Sequence, residues 1–267
     1  MNANGIITLT TDFGLQDMFV GVMKGVMLGI APDARLVDIT HDLPNQSVDA
    51  ADFVLAHSAS YFPPGTTHMV VVDPGVGTAR RMIAVACNGQ FFVAPDNGAL
   101  SSVLREADCP VIHEITNANY FTPSPVGNTF HGRDVFAPIA AHLAAGVAIE
   151  ELGPRVDDPV LRPELSPDVS PGRLVGRITY IDKFGNAMTN ITRADISTAF
   201  ARAKCTATAG PQTSRLVSTY TDGAPGTELI ALINSWGLIE FAVNQGHAAQ
   251  FADLTVGQEV MLGSSDK

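Results

Sequence analysis

The sequence is poor in cysteine and in basic residues. Its three cysteines, Cys87, Cys109 and Cys205, are scattered without a CxxC pair or a histidine-rich spacing. That pattern indicates neither a disulfide framework nor a zinc site, and it is typical of the reducing cytoplasm. Lys and Arg number 16 against 27 for Asp and Glu, so the formal charge of -11 repels phosphate backbones and anionic membrane surfaces. We therefore expect no nucleic acid and no membrane among the partners.

Long apolar runs and a leader sequence are missing as well. No stretch approaches about 18 consecutive apolar residues, and the N-terminus lacks a basic start followed by an apolar run and a cleavage site. We therefore expect a soluble, cytoplasmic protein. Only 16% of the residues are charged while 46% are hydrophobic, which indicates more apolar surface than one subunit can bury. This composition predicts an oligomer.

Residues 1–153 alternate between strand and helix patterns. This alternation begins as βαβαβ, which predicts an α/β domain with a mainly parallel sheet and flanking helices. The predicted elements are strands 5–11, 35–40, 67–73 and 111–116, helices 17–30, 47–62, 99–107 and 132–146, and a hairpin over 82–98 that turns at Asn88 and Gly89.

A proline-rich stretch then divides the chain. Five prolines mixed with charges predict an extended linker over residues 154–172, without helical periodicity. Beyond it, residues 173–267 show short strand patterns separated by Gly, Asn and Asp, which predict a small C-terminal β-barrel domain. The clearest of these patterns cover residues 172–184, 187–192, 204–209 and 227–234.

Two polar clusters in the first domain follow predicted strands, where α/β sheets bind their ligands. In TTDFG, the carboxylate of Asp12 can accept hydrogen bonds from a ribose diol, or Asp12 can be a plain turn residue. In DPGVGTAR, the glycines allow the chain to fold back and bring Arg80 near Asp73. The alternative for that pair is a structural ion pair that closes the turn.

Two further clusters add candidates. NTFHGRD places His131 at the entrance of a predicted helix, either as an acid or base or as a satisfied structural histidine. In YIDKFGNAMTNI, Asp182, Asn186 and Asn190 surround a glycine at a predicted turn. An Asn can pair with a purine edge and an Asp can hold an ammonium, although a plain hairpin also explains the stretch. Ser235 adds a polar position beside the single tryptophan.

The motifs TTDFG, VVDPGVGTxR, PDNG, FHGRD and DKFGNxxTNI occur in that order over nearly the whole chain. This ordered set resembles the S-adenosyl-L-methionine (SAM) hydroxide adenosyltransferases, also called SAM hydrolases, which are relatives of the SAM-dependent chlorinases and fluorinases. The resemblance implies an N-terminal α/β domain joined to a C-terminal β-barrel. It also implies a homotrimer in which each active site lies between neighbouring subunits.

The activity implied by the resemblance is the splitting of SAM by water into adenosine and L-methionine. The family's catalytic Asp, Arg and His correspond by motif to Asp73, Arg80 and His131. The halogenases differ here, because they carry a Tyr-led segment in place of DPGVG and a Tyr in place of His131. The substrate-binding residues implied in the same way are Asp12 for the ribose hydroxyls, Asn186 for adenine, and Asp182 with Ser235 for the amino-acid end.

This chemistry needs neither a metal nor another cofactor. The sulfonium is already an excellent leaving group, so the enzyme has to place a weak nucleophile in line with the 5′ carbon and raise its reactivity. We expect Arg80 to fix and polarise a water, Asp73 to orient Arg80, and His131 to supply or relay the base. Two alternatives stay open: a SAM-dependent halogenase (chlorinase), and a non-catalytic sensor that binds SAM or adenosine.

Overall fold

Two compact units make up the chain, Met1–Arg162 and Pro163–Lys267. Their border falls inside the proline-rich stretch 154–172, whose limits as a linker remain a prediction. In the part of the chain that the structure describes, no helix is both long enough and apolar enough to span a bilayer. The structure is a computed structural model, which describes residues 2–123, 125–200 and 205–264.

A six-stranded sheet forms the centre of the first unit. Its strands are β1 (Ile6–Thr11), β2 (Arg35–Thr40), β3 (Thr67–Val71), β4 (Met82–Cys87), β5 (Gln90–Pro95) and β6 (Val111–Glu114). They lie in the order β2-β1-β3-β5-β4-β6. The first four in that order are parallel, and β4 runs antiparallel to β5 and β6. The predicted mainly parallel sheet is confirmed.

Helices cover this sheet by burying apolar faces. In the described part of the first unit the α-helices are α1 (Phe19–Ile30), α2 (Val48–Ser58), α3 (Ser101–Arg105) and α4 (Ala137–Ala144). In α1, Val20, Met23 and Met27 recur at helical spacing and are buried in the same core as β1 and α4. α2 begins after Ser47, whose hydroxyl accepts a hydrogen bond from the N–H of Ala50.

The connection from β3 to β4 crosses the end of β5. Because β5 lies between β3 and β4 in the sheet, residues 72–81 must pass the carboxyl end of β5 to reach the start of β4. The carboxyl ends of parallel strands are the usual place for ligand sites in such sheets. The segment DPGVGTAR therefore lies on a crossing at that edge.

The last predicted helix of this unit begins irregularly. A π-helical turn, Gly132–Phe136, continues into α4. Pro138 explains the irregularity, because proline lacks the N–H that would bond to the carbonyl of Asp134 four residues earlier. That carbonyl instead accepts a hydrogen bond from the N–H of Thr122 at 3.1 Å. His131 directly precedes the turn, so its predicted place at a helix entrance is confirmed.

The second unit is a small closed β-barrel, as predicted. Its strands are β7 (Asp168–Ser170), β8 (Arg173–Ile181), β9 (Ala187–Thr192), β10 (Cys205–Ala209), β11 (Gln212–Val217), β12 (Leu229–Ile233), β13 (Leu238–Val243) and β14 (Glu259–Ser264). They follow the order β14-β10-β11-β12-β13-β9-β8-β7, and the pairing of β14 with β8 closes seven strands into a barrel with β7 at its side. Leu174, Ile191 and Phe241 are fully buried in its core.

Helices α5 (Arg193–Phe200) and α6 (Ala248–Phe251) of this unit are not predicted from the sequence. A local signal for α5 does exist, because Thr192 and Asp195 form a capping box. The Asp195 carboxylate accepts hydrogen bonds from the N–H and hydroxyl of Thr192 at 2.8 and 2.7 Å, and the Asp195 N–H returns one at 3.2 Å. Lys204, the first residue of one predicted strand, lies outside the described residues.

Candidate active site

Glycines shape the loop between Asp73 and Arg80. Gly77 has a φ of 77°, and a Cβ at that position would lie 2.3 Å from the carbonyl oxygen of Asn128. Glycine meets both conditions, since it has no Cβ and readily adopts positive φ. Within the loop, the Thr78 hydroxyl donates a hydrogen bond to the carbonyl of Gly75 at 2.7 Å. The chain thus folds back tightly and returns Arg80 to Asp73, as the sequence predicts.

Asp73 and Arg80 form a largely buried ion pair. Arg80 Nε donates to both carboxylate oxygens at 3.0 Å each, and Arg80 Nη2 makes a further short contact with Oδ2. The two side chains are only 5% and 11% exposed. The guanidinium carbon also lies 5.5 Å from the centre of the Phe136 ring. Because both carboxylate oxygens accept from one planar guanidinium, Asp73 fixes the orientation of Arg80.

Arg80 also contacts His131. Its Nη2 donates to His131 Nδ1 at 2.8 Å. A guanidinium can only donate, so Nδ1 is an acceptor and the neutral imidazole carries its proton on Nε2. Burial of the ring, followed by the positive charge of Arg80, lowers the pKa of His131 below its usual 6.5. His131 is therefore neutral at pH 7, as its contact with Arg80 requires.

The neighbouring pair Arg133 and Asp134 is structural. Arg133 donates to both oxygens of Asp134 at 2.6 and 3.1 Å, and the N–H of Gly127 donates to Asp134 Oδ2 at 2.9 Å. Burial alone would raise the pKa of Asp134, but these hydrogen bonds outweigh it and keep the pKa below its usual value. Asp134 therefore ties the segment before His131 to the start of the helix.

Asp12 is held by a separate set of contacts on the first unit. Its Oδ2 accepts the N–H of Gln46 at 2.7 Å. The preceding residue, Thr11, is anchored by a hydrogen bond of 2.8 Å between its Oγ1 and Nδ1 of His41. Thr11 is also the register partner of Val71 across the parallel pair of β1 and β3. Asp12 therefore leaves the sheet at the edge where β3 ends.

In the second unit, Asp182 and Asn186 form one compact turn. Asp182 Oδ1 accepts the N–H groups of Phe184 and Asn186 at 2.9 Å each, and Asn186 Nδ2 donates to Asp182 Oδ2 at 3.1 Å. Gly185 has a φ of 84°, and a Cβ there would lie 2.1 Å from the His247 ring. The turn is therefore closely packed against His247, and the predicted turn at this motif is confirmed.

A cavity of about 800 Å³ opens beside this turn. Asp182 and Asn186, which the sequence predicts on one turn, and Ser235, which lies on another segment of the chain, all line it. The exposed aromatic rings of Phe184 and Trp236 line it as well. The structure thus brings the three candidates of the second unit to a single cavity.

Sequence reasoning missed a polar group in the wall of this cavity. Glu240 lies within β13 and is only 2% exposed. Its carboxylate accepts the hydroxyl of Tyr220 at 2.7 Å and Asn234 Nδ2 at 3.0 Å. Burial and the Glu240 carboxylate raise the pKa of Tyr220. The one sequence signal was a charged residue inside an otherwise apolar strand, LIEFAV.

Asn234 connects Glu240 to the turn that carries Ser235. Asn234 Oδ1 accepts the N–H groups of Trp236 and Leu238 at 3.0 and 3.1 Å. Because the amide of Asn234 is held by Glu240 at its other end, the carboxylate fixes this turn against the barrel. Among the described residues, no group of three or more His, Cys, Asp or Glu side chains has the arrangement of a metal site.

The protein thus combines an α/β unit, which carries an ionic site of Asp73, Arg80 and His131 at one edge of its sheet, with a β-barrel unit, which carries a cavity of about 800 Å³. Models of the SAM hydroxide adenosyltransferase N-terminal and C-terminal domains match residues 7–153 and 176–261. The chain therefore belongs to the SAM hydroxide adenosyltransferase family.

Individual relatives agree with this assignment over almost the whole chain. The (R)-S-adenosyl-L-methionine hydrolase of Salinispora arenicola is 38% identical, over 96% of this chain and 97% of the relative. The crystal structure of an uncharacterized conserved protein from Thermotoga maritima is 35% identical, with a TM-score of 0.90 over 96% of this chain and 99% of that one. The fluorinase of an Actinoplanes species is more distant, at 31% identity over 98% of both chains.

Proposed function

We propose that this protein hydrolyses SAM to adenosine and L-methionine through attack of water or hydroxide on the 5′ carbon. The observation that carries the proposal is the position of Arg80 between the Asp73 carboxylate and His131 Nδ1. This arrangement places a largely buried, ion-paired guanidinium beside two potential bases at the edge of the sheet. Membership of the SAM hydroxide adenosyltransferase family and the hydrolase names of relatives support it.

In this proposal Arg80 acts directly on the nucleophile. A guanidinium in a largely water-excluded site lowers the cost of negative charge on a nearby oxygen, so it favours the hydroxide-like form of a bound water. Asp73 keeps the guanidinium oriented. His131 Nδ1 is occupied by Arg80, so His131 can remove a proton at that atom only when Nη2 turns from the ring to the water. Binding of the water by Arg80 thereby frees Nδ1 of His131 to act as the base.

The substrate is proposed to be held by the remaining candidates. The cavity of about 800 Å³ lies within the usual size range of ligand pockets, about 300–1,000 Å³. Within it, the Asp182 carboxylate suits an ammonium group and the Asn186 amide suits a purine edge. The proposed roles are Asp12 for the ribose hydroxyls, Asn186 for adenine, and Asp182 with Ser235 for the amino-acid end. The reaction as written needs no cofactor and no metal.

We also propose a homotrimer with active sites shared between neighbouring subunits, in a cytoplasmic protein. The family resemblance implies this assembly, and the high apolar content of the chain supports an oligomer. The scattered spacing of the three cysteines in the sequence supports a reducing compartment.

The test is chromatography of the products formed when purified protein is incubated with SAM. Both configurations at the sulfonium sulfur must be supplied, because the relatives are named for the (R) form. We expect adenosine and methionine in equal amounts. Formation of 5′-chloro-5′-deoxyadenosine in chloride would instead identify a halogenase, and stoichiometric binding of SAM without product would identify a sensor.

A further inference from the structure

The PDNG motif, residues 95–98, supplies none of the proposed catalytic or substrate-binding residues, yet it contacts both ends of the loop that carries Asp73 and Arg80. The reason is topological, because that loop crosses the carboxyl end of β5 and PDNG begins with the last residue of β5. Two residues of the motif, Asp96 and Asn97, contact the two ends of the crossing.

Asn97 holds the first end. Its Nδ2 donates to the carbonyl of Val72 at 2.9 Å, and Val72 is the residue immediately before Asp73. The other end of the amide is also fixed, because Asn97 Oδ1 accepts the N–H of Ala99 at 3.2 Å. The side chain is therefore constrained at both of its polar atoms.

Asp96 holds the second end. Its N–H donates to the carbonyl of Arg81 at 3.0 Å, and its Oδ2 accepts Arg81 Nε at 2.8 Å. Arg81 is the residue immediately after Arg80. The Asp96 side chain is only 1% exposed, and its Oδ1 accepts the N–H of Val160 at 2.8 Å. The Asp96 side chain is therefore fixed in position, and Asp96 binds Arg81 through both its backbone and its side chain.

We propose that Asp96 and Asn97, here named the PDNG clamp, are positioning residues for the catalytic pair. The clamp fixes the residues that flank Asp73 and Arg80, and so sets the separation of the two ends of the loop. The separation in turn decides whether Arg80 reaches Asp73 and His131 together. This inference rests on the proposed function, since it assigns a catalytic consequence to the position of Arg80.

Kinetics of Asn97→Ala provide the first test. Because a misplacement of about 1 Å can cost up to about 10²-fold in rate, we expect kcat to fall about 10- to 100-fold while the KM for SAM changes less than about threefold. Asn97→Ala should add less than about twofold to the loss in Asp73→Asn, because both changes act through the same loop. An unchanged kcat, or independent losses that multiply in the double variant, would overturn the proposal.

Asn117→Ala is the matched control. Asn117 is half-buried like Asn97, donates from Nδ2 to the carbonyl of Glu151 at 2.8 Å, and accepts the N–H of Asn119 at 3.2 Å. It therefore makes the same pair of contacts away from the loop. We expect its kcat to be unchanged, and a loss equal to that of Asn97→Ala would overturn the positioning role. If Asn97→Ala does not fold, Asn97→Asp keeps the oxygen that binds Ala99, removes the donor to Val72 and carries the same expectation.

A second readout does not depend on turnover. Arg80 Nη2 donates a hydrogen bond to His131 Nδ1, and the charge of Arg80 adds to burial in lowering the pKa of His131. Release of the loop in Asn97→Ala should raise the pKa of His131 measured by NMR titration, and Asn117→Ala should leave it unchanged. Absence of SAM hydrolysis by the wild type would refute the proposed function but leave this readout intact. An unchanged His131 pKa in Asn97→Ala would refute the clamp itself.

Discussion

Asp73→Asn is the substitution that most sharply separates catalysis from binding. The Asp73 carboxylate accepts hydrogen bonds from Arg80 Nε at both oxygens and from Nη2 at Oδ2. The amide of the substituted Asn has the same size but only one acceptor oxygen. The NH₂ group of the Asn would then lie opposite an N–H donor of Arg80, and the two side chains would lose their ionic attraction. Because Arg80 would then no longer be held beside the water and His131, kcat should fall by about 10²–10⁴-fold. That loss is equivalent to about 3–5 kcal/mol of transition-state stabilisation.

The assay is steady-state kinetics beside calorimetric binding of SAM. Asp73→Asn and His131→Ala should both lose kcat with SAM affinity little changed, because neither residue is proposed to bind the substrate. Asp12→Ala should do the opposite and raise KM first, because ribose contacts are present in ground and transition states alike. Full turnover in His131→Ala at an unchanged pH dependence would refute the assignment of the site.

Two further predictions concern stability and assembly. Burial lowers the pKa of His68 from 6.5 in the unfolded chain to about 4 in the folded protein. Between these two pH values the unfolded chain is protonated at His68 and the folded protein is not, so stability falls as the pH drops from 6.5 to about 4. We expect His68 to account for about 3 kcal/mol of the unfolding free energy lost between about pH 7.5 and pH 4, and urea titrations of His68→Gln with the same pH dependence as wild type would contradict this. If sites are shared between subunits, mixed trimers of Asp73→Asn and Asn186→Ala should regain up to about a quarter of the wild-type activity, and a fully active monomer would exclude sharing.

The first unit is predictable because its signals are local. Continuous apolar runs and helical patterns alternate there, and the predicted strand 35–40 coincides with β2. The barrel is less predictable because its strands depend on their neighbours. β11, with the sequence QTSRLV, has little apolar alternation and is stabilised by pairing with β10 and β12.

The site shows the same contrast. Asp73 and Arg80 are seven residues apart on a glycine-rich loop, so their contact can be predicted from the chain itself. His131 lies 51 residues beyond Arg80, so its own motif marks it as a candidate but does not predict the contact with Arg80. Glu240 was missed because a charge within an apolar strand does not reveal which partners satisfy it, and Tyr220 lies 20 residues away.

Hydrolysis of SAM in water enriched in heavy oxygen tests the central claim most directly. If Arg80, Asp73 and His131 deliver water to the 5′ carbon, mass spectrometry should find the label at the 5′ hydroxyl of the adenosine and none in the methionine. Labelled adenosine would confirm attack of water at that carbon. Adenosine without the label, formed by the purified enzyme under the same conditions, would contradict the account.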